Sequence, residues 1–325
     1  METTQRYDVV VIGGGPAGLA GAVALARSRR SVLVVDDGTP RNAPADGVHN
    51  YLGREGTPPG ELLALGRAEL AGYGGAFREG RVSGAEALEG GGFRVALDGG
   101  GDVDARRLLV TTGLTDELPD VPGLAQRWGR DVLHCPYCHG WEVRERAIGV
   151  LACGPMVVHQ TLLMRQLSDD VTVFRHRQPP FDDEQAEELA ARGIRVVDGE
   201  VVGLEVVDDR LTGVRLASGE VVAVEALAVQ PRFVARGGVA ESLGLSTSDL
   251  LVGEHSIGSR VDADPTGATA VPGVYVAGNV NDPMAQVVAG AAAGMRAGSM
   301  INAELVAEET RLAVAAHRER SAARV

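Results

Sequence analysis

The sequence predicts an α/β protein built from two Rossmann-like dinucleotide-binding domains, and three observations carry that expectation. A short apolar run, Tyr7 to Ile12, ends in the glycine turn Gly13-Gly14-Gly15-Pro16-Ala17-Gly18 and is followed by apolar residues at helical spacing, Leu19 to Ala26. The same order of strand, turn and helix recurs from Ala147, with strand Ile148 to Ala152, turn Cys153 to Pro155 and helix Val157 to Leu167. The chain has 325 residues, beyond the size at which one hydrophobic core keeps growing, so two compact units are expected.

The remaining elements follow in order. Ser31 to Val35 reads as the second parallel strand of the first unit. Between Gly80 and Val110 three short alternating runs separated by glycine-rich turns predict an antiparallel meander, with Asp104 to Thr111 returning as a strand. After the second unit's helix come strand Val171 to Phe174, an acidic helix from Asp182 to Arg192, and alternating segments as far as Val229. Gly273 to Gly278 is again a strand ending in glycine, and it leads into a buried helix, Gln286 to Ala303. The simplest arrangement is a discontinuous first domain, 1–115 and 241–325, with a second domain, 116–240, inserted into it.

Composition narrows the function. Hydrophobic residues at 45% and charged residues at 23% are ordinary for a folded, soluble protein. No apolar run approaches the roughly 20 residues of a membrane span, and the first strand follows Met-Glu-Thr-Thr-Gln with no apolar leader, so a cytoplasmic address is expected. A net charge of -13 without a clustered basic footprint argues against nucleic acid or an anionic membrane as partner. Three cysteines are too few for a disulfide framework, so a close pair points to redox or metal chemistry.

Two motifs carry chemistry. Gly13, Gly15 and Gly18 form G-x-G-x-x-G at a strand-to-helix turn, with Pro16 and Ala17 inside it and Asp36 at the end of the next strand. That pattern brings a pyrophosphate to bare backbone at a helix N-terminus and offers a carboxylate to ribose hydroxyls. Cys135-Pro136-Tyr137-Cys138 is a C-x-x-C, a spacing that closes a small disulfide ring and lowers the pKa of one thiol. Its other readings are half of a zinc site or two packed thiols. Zinc would need further ligands, and Cys153 is isolated while His134 and His139 are too close in sequence to complete a four-ligand site, so no metal is expected. An imidazole near its ordinary pKa of about 6.5 can take a proton from a thiol at neutral pH, which makes His134 and His139 candidate bases. Cys153 reads as a buried, structural thiol.

Further segments resemble a known family. Thr111-Thr112-Gly113, Val276-Ala277-Gly278-Asn279 and His49-Asn50-Tyr51-Leu52-Gly53 stand where flavoprotein disulfide reductases have Ala-Thr-Gly, Ala-Gly-Asp and Glu-Asn-Phe-Pro-Gly segments around FAD. With the C-x-x-C just ahead of the second dinucleotide unit, the chain resembles the low-molecular-weight thioredoxin reductases over nearly its whole length. The resemblance implies a three-layer ββα fold in each unit, FAD as cofactor and a homodimer. It also implies flavin contacts from Asn50, Thr112, Gly113, Gly278, Asn279, Gln286 and Val287. Cys138 would lie against the flavin and Cys135 toward substrate.

The chain also departs from that family. The turn for a nicotinamide dinucleotide reads Ala152-Cys153-Gly154-Pro155-Met156-Val157, with Ala and Val where the family has small glycine-like positions, and the family's His-Arg-Arg reads Arg175-His176-Arg177. NADPH is therefore not expected, although a variant loop that still takes NADH is an alternative. The family's Asp after the second cysteine is His139, and Asn281 could orient such an imidazole. Cys-Pro-Tyr-Cys-His-Gly with a degenerate NADPH turn resembles the dithiol oxidases of natural-product pathways, the gliotoxin and holomycin group. That resemblance implies oxidation of a small-molecule dithiol, of dithiolopyrrolone type, with dioxygen as electron acceptor and hydrogen peroxide as product. An NAD(P)H-dependent disulfide reductase and a non-catalytic thiol redox sensor are the rivals.

Overall fold

In strand Arg6–Ile12, Val9 and Val11 face one side of a sheet, Val10 and Ile12 the other, and all four are buried. A strand covered on both faces belongs in the interior of a parallel sheet. In the computed structural model, which describes residues 5–323, it pairs in parallel with Val32–Asp36 on one side and Val103–Val110 on the other. Ala76–Glu79 extends the sheet beyond Val32–Asp36, and Val274–Val276 pairs in parallel with the far half of Val103–Val110. Strands Val82–Ala87 and Phe93–Leu97 add an antiparallel meander to the near half of Val103–Val110.

Helices cover one face of this sheet. Leu19 and Leu25 of Pro16–Arg27, Leu63 and Leu70 of Pro59–Gly72, and Ile301 and Leu305 of Val287–Ala322 join Val9, Val11, Val32 and Val34 in one apolar layer. Phe93, Val95, Val239 and Val261 pack on the other face against Val10, Ile12, Leu33 and Val35. The unit is thus a three-layer ββα arrangement.

The second sheet repeats it. Arg195–Val197, Val171–Phe174, Ile148–Leu151, Ala226–Val229 and Val132–Leu133 lie side by side, all parallel. Val157, Val158 and Met164 of helix Val157–Met164 and Leu189 of helix Asp183–Ala191 cover one face. The antiparallel strands Val201–Val207, Arg210–Leu216 and Val221–Val222 cover the other through Leu211, Val214 and Leu216. The chain passes between the two sheets through Leu114–Glu117 and returns through Arg232–Ala235. These crossing strands pair antiparallel, Leu114 opposite Ala235, in a four-stranded sheet completed by His255–Val261 and Thr247–Val252.

Some elements differ from expectation. Helix Pro59–Gly72 and the crossing sheet went unforeseen, and the last helix runs to Ala322 rather than stopping at Ala303. That helix is held by close backbone contact with the first. A β-carbon on Gly294 would stand 1.9 Å from the Ala17 carbonyl oxygen, and one on Gly298 would stand 2.6 Å from that of Gly21. Among the described residues no helix is long and apolar enough to cross a membrane.

Candidate active site

A cavity of about 1330 Å³ lies where the two parallel sheets face each other across the crossing strands. Gly13, Gly15, Pro16 and Ala17 enter it at the end of strand Arg6–Ile12. Gly13 needs its φ of +104°, and a β-carbon there would press on the Thr111 carbonyl at 2.5 Å. Gly18 lies beneath the turn, where a β-carbon would meet the Gly13 carbonyl oxygen at 1.9 Å, whereas Gly15 has open space before it. Thr111, first residue of the Thr111-Thr112-Gly113 segment, pins the turn by donating its hydroxyl to the Gly13 carbonyl at 2.8 Å. Asp36 accepts from the Gly14 amide at 2.5 Å and the Gly38 amide at 2.9 Å, one on each carboxylate oxygen, and also lines the cavity. Each oxygen keeps a free lone pair for a ribose hydroxyl.

Thr112, Gly113, Gly278, Asn279, Gln286 and Val287 line the same cavity. Thr112 donates to the Arg236 carbonyl at 2.7 Å, which ties the end of strand Val103–Val110 to the crossing strands. Gln286 is the N-cap of the last helix and Val287 its first residue, so the helix's free amides open on the cavity. Asn50 adopts φ +59°, a left-handed conformation that asparagine tolerates better than most residues. Its amide donates to the Tyr137 carbonyl inside the C-x-x-C at 2.7 Å and reaches the Gln286 side chain at 3.4 Å. Glu55 fixes this loop by accepting from the Asn50 amide at 2.9 Å and meeting His49 Nδ1 at 2.6 Å.

Cys135 caps the short helix Pro136–His139, and its carbonyl accepts from the amides of Cys138 and His139. The two cysteines are joined as a disulfide with Cα atoms 5.2 Å apart. Both sulfur-bearing residues line the cavity, Cys138 exposed and Cys135 half-buried. One cavity therefore joins a dinucleotide turn to a disulfide. Residues 7–298 match the pyridine nucleotide-disulphide oxidoreductase family.

The chain belongs to that family. It is 31% identical over 318 residues to thioredoxin reductase tcpT of Claviceps purpurea, covering 95% of this chain and 97% of the relative. It is 30% identical to thioredoxin reductase sirT of Leptosphaeria maculans, covering 91% and 93% respectively. Among solved structures HlmI superposes with a TM-score of 0.88 at 45% identity over 97% of both chains. The protein is accordingly a thioredoxin-reductase-like oxidoreductase.

Members of this oxidoreductase family depend on FAD. The residues fit that group: the cavity is large, the crowded Gly13 and Gly18 permit the turn, open backbone faces it at Gly15, and Asp36 stands at the strand end. Arg41, unforeseen, adds a cation to the wall. It pairs with Asp116 through two bonds of 2.7 Å, approaches Asn279 Oδ1 at 3.5 Å, and lies 5.5 Å over the Phe233 ring. Asn279 spends its own amide on the carbonyls of Asp282, Pro283 and Ala285, so it shapes the loop before the last helix.

The two histidines differ. His134 stands edge-on to Phe233 with ring centres 5.1 Å apart. Burial, reinforced by the Arg41 cation, pushes its pKa down to about 4, so the premise of an imidazole near 6.5 fails there. Burial also lowers the pKa of His139, but the nearby Glu142 and Asp46 carboxylates oppose it. His49, 3.5 Å from Glu142, ties this corner to the Asn50 loop. The expected role of Asn281 in orienting an imidazole is corrected. The chain turns through Gly278–Val280, and the Asn281 amide then donates to the Val261 carbonyl at 2.9 Å, away from both histidines.

At the second turn the helix begins only at Val157. The Cys153 thiol donates to the Leu151 and Gln230 carbonyls, and burial raises its pKa to about 11. Gly154 faces the Gln230 side chain, 2.8 Å from where a β-carbon would sit. Arg175 is paired with Asp198, Arg177 with Glu200, and His176 Nδ1 accepts from the Val201 amide. Among the described residues no cluster of three or more His, Cys, Asp or Glu is placed to hold a metal ion.

Proposed function

We propose that this chain is an FAD-dependent dithiol oxidase that closes an intramolecular disulfide in a small natural product. The observation that carries the reading is the Cys135–Cys138 disulfide in one cavity with the glycine turn, beside a second turn where the Gln230 side chain packs against Gly154. Arginines engaged by Asp198 and Glu200, and Gln230 packed on Gly154, support a chain that does without NADPH. The resemblance of Cys-Pro-Tyr-Cys-His-Gly to the holomycin and gliotoxin type of oxidase supports the substrate class, of which a dithiolopyrrolone dithiol is the nearest candidate.

The cysteines perform two exchanges. One substrate thiolate attacks Cys135, breaking its bond to Cys138 and releasing the Cys138 thiolate, while His139 takes the substrate proton. The second substrate thiolate attacks the substrate sulfur of the mixed disulfide, releasing the Cys135 thiolate and a cyclic disulfide. Two electrons now rest on the enzyme dithiol. The chemistry that FAD supplies when bound is acceptance of this electron pair and its delivery, with two protons, to dioxygen, giving hydrogen peroxide. Gly13, Gly15, Pro16, Ala17, Gly18 and Asp36 would hold the dinucleotide, with Thr112, Gly113, Gly278, Asn279, Gln286 and Val287 around the ring system and Asn50 joining that wall to the cysteine turn. The working form is a cytoplasmic homodimer, in keeping with the dimers common among thioredoxin-reductase-like proteins.

Oxygen-electrode turnover of the yellow protein tests this, with a dithiol in one cell and NADPH in another. Oxygen uptake and peroxide with the dithiol alone are expected. Prompt bleaching by NADPH under argon would instead support a disulfide reductase, as the names of the fungal thioredoxin reductases suggest. Inertness toward both would favour a redox sensor.

A further inference from the structure

Two imidazoles and two carboxylates meet at the corner where the Asn50 loop docks on the cysteine turn. His49 Nδ1 lies 2.6 Å from Glu55 Oε1, and the Asn50 backbone amide donates to Glu55 Oε2 at 2.9 Å. These bonds, that of His49 first, hold the exposed Glu55 carboxyl below the usual carboxylate range, so it stays ionised. An ionised carboxylate only accepts, so Nδ1 carries the proton of neutral His49 and Nε2 is left as an acceptor. Nε2 faces Glu142 Oε1 at 3.5 Å. Two acceptors thus oppose each other, an arrangement that a proton passing between them relieves.

Glu142 follows His139 by one turn, in Trp141–Val143 directly after helix Pro136–His139. Among the described residues His49 is its one ionic partner; the neighbouring Arg144 lies instead 4.0 Å over the Trp141 ring. Burial lowers the pKa of His139. Glu142 is the strongest charge opposing that, aided by Asp46, whereas His49 and Arg146 add to it. Where the thioredoxin reductases that the chain resembles have Glu and Asp, it has His49 and His139, and the fold sets Glu142 beside both.

We propose that Glu142 and His49 form the outlet for the proton that His139 takes from a substrate thiol. This rests on the dithiol-oxidase reading and adds where that proton goes. His139 yields it to the Glu142 carboxylate, which passes it to His49 Nε2. The imidazolium so formed loses one of its two protons to water at the exposed Glu55 edge, and tautomer exchange resets the neutral ring. No electrons move along this path, and neither Glu142 nor His49 touches the substrate.

The test mixes the flavin-loaded protein with dithiothreitol under argon, in weak buffer at neutral pH, and times the bleaching by stopped flow. His49→Ala and the near-isosteric Glu142→Gln should each bleach roughly tenfold or more slowly than the natural protein. Added imidazole should restore most of the rate in His49→Ala, because a free base replaces the missing ring, and should leave the natural protein unchanged. A natural rate in either variant overturns the proposal. So does a slowed His49→Ala rate that imidazole fails to restore, since lost loop packing would then be its cause. Oxygen uptake, followed separately, keeps the two readings apart. Imidazole-restored bleaching without oxygen uptake keeps the outlet and refutes the oxidase, whereas oxygen uptake with bleaching indifferent to His49 and Glu142 refutes the outlet alone. Failure of dithiothreitol to bleach the natural protein overturns both.

Discussion

His134 and His139 flank the same disulfide, yet different charges surround them. With its pKa pushed down to about 4, His134 stays neutral through the physiological range and accepts protons poorly. Between about pH 6.5 and 4 the unfolded chain binds a proton at this position that the folded chain refuses, so stability falls as pH falls through that window. Relative to a His134→Gln variant, the natural protein should lose on the order of 2–3 kcal/mol between pH 7 and 4.5, measured by urea unfolding at each pH. His139→Gln should slow dithiol turnover about 100-fold or more, with His134→Gln affecting it less than about tenfold. The cysteines are told apart by colour. If Cys138 faces the flavin, Cys135→Ser should show a long-wavelength thiolate band and Cys138→Ser should not; the reverse pattern would exchange their roles.

At the scale of elements, the crossing of Pro16–Arg27 and Val287–Ala322 depends on bare backbone at Gly294 and Gly298. Gly294→Val would drive a branched side chain into the Ala17 carbonyl. It should lower stability by about 1–3 kcal/mol or more and reduce bound flavin, read by thermal unfolding and by the flavin-to-protein absorbance ratio. The two ββα units were legible in the sequence because uninterrupted apolar strands such as Val9–Ile12 and Ile148–Leu151 stop at glycine turns. Helix Pro59–Gly72 was not, because Gly60, Gly66 and Gly72 interrupt it and only Pro59, Leu63 and Leu70 are buried, too sparse a stripe to stand out. The crossing strands are short and take their pairing from distant partners, so no local periodicity announces them. The glycines, Asp36 and the cysteine pair could be read from spacing. Arg41 could not, because it is held by Asp116, far along the chain.

For the whole molecule, the first dinucleotide turn opens on the cavity, while at the second the Gln230 side chain packs against Gly154. Under argon, NADPH should leave the visible spectrum of the flavin-loaded protein unchanged over minutes while a dithiol bleaches it; rapid loss of the yellow colour with NADPH would refute this. The backbone contact between first and last helices also has a consequence for biosynthesis. The glycine turn leaves the ribosome well before the opposite wall at Gly278 and Gln286 and the helix braced behind it. The parallel strands of the middle segment can assemble while the nascent chain is still growing. The pigment's pocket closes only once that helix has been delivered, so newly made protein should stay colourless until then.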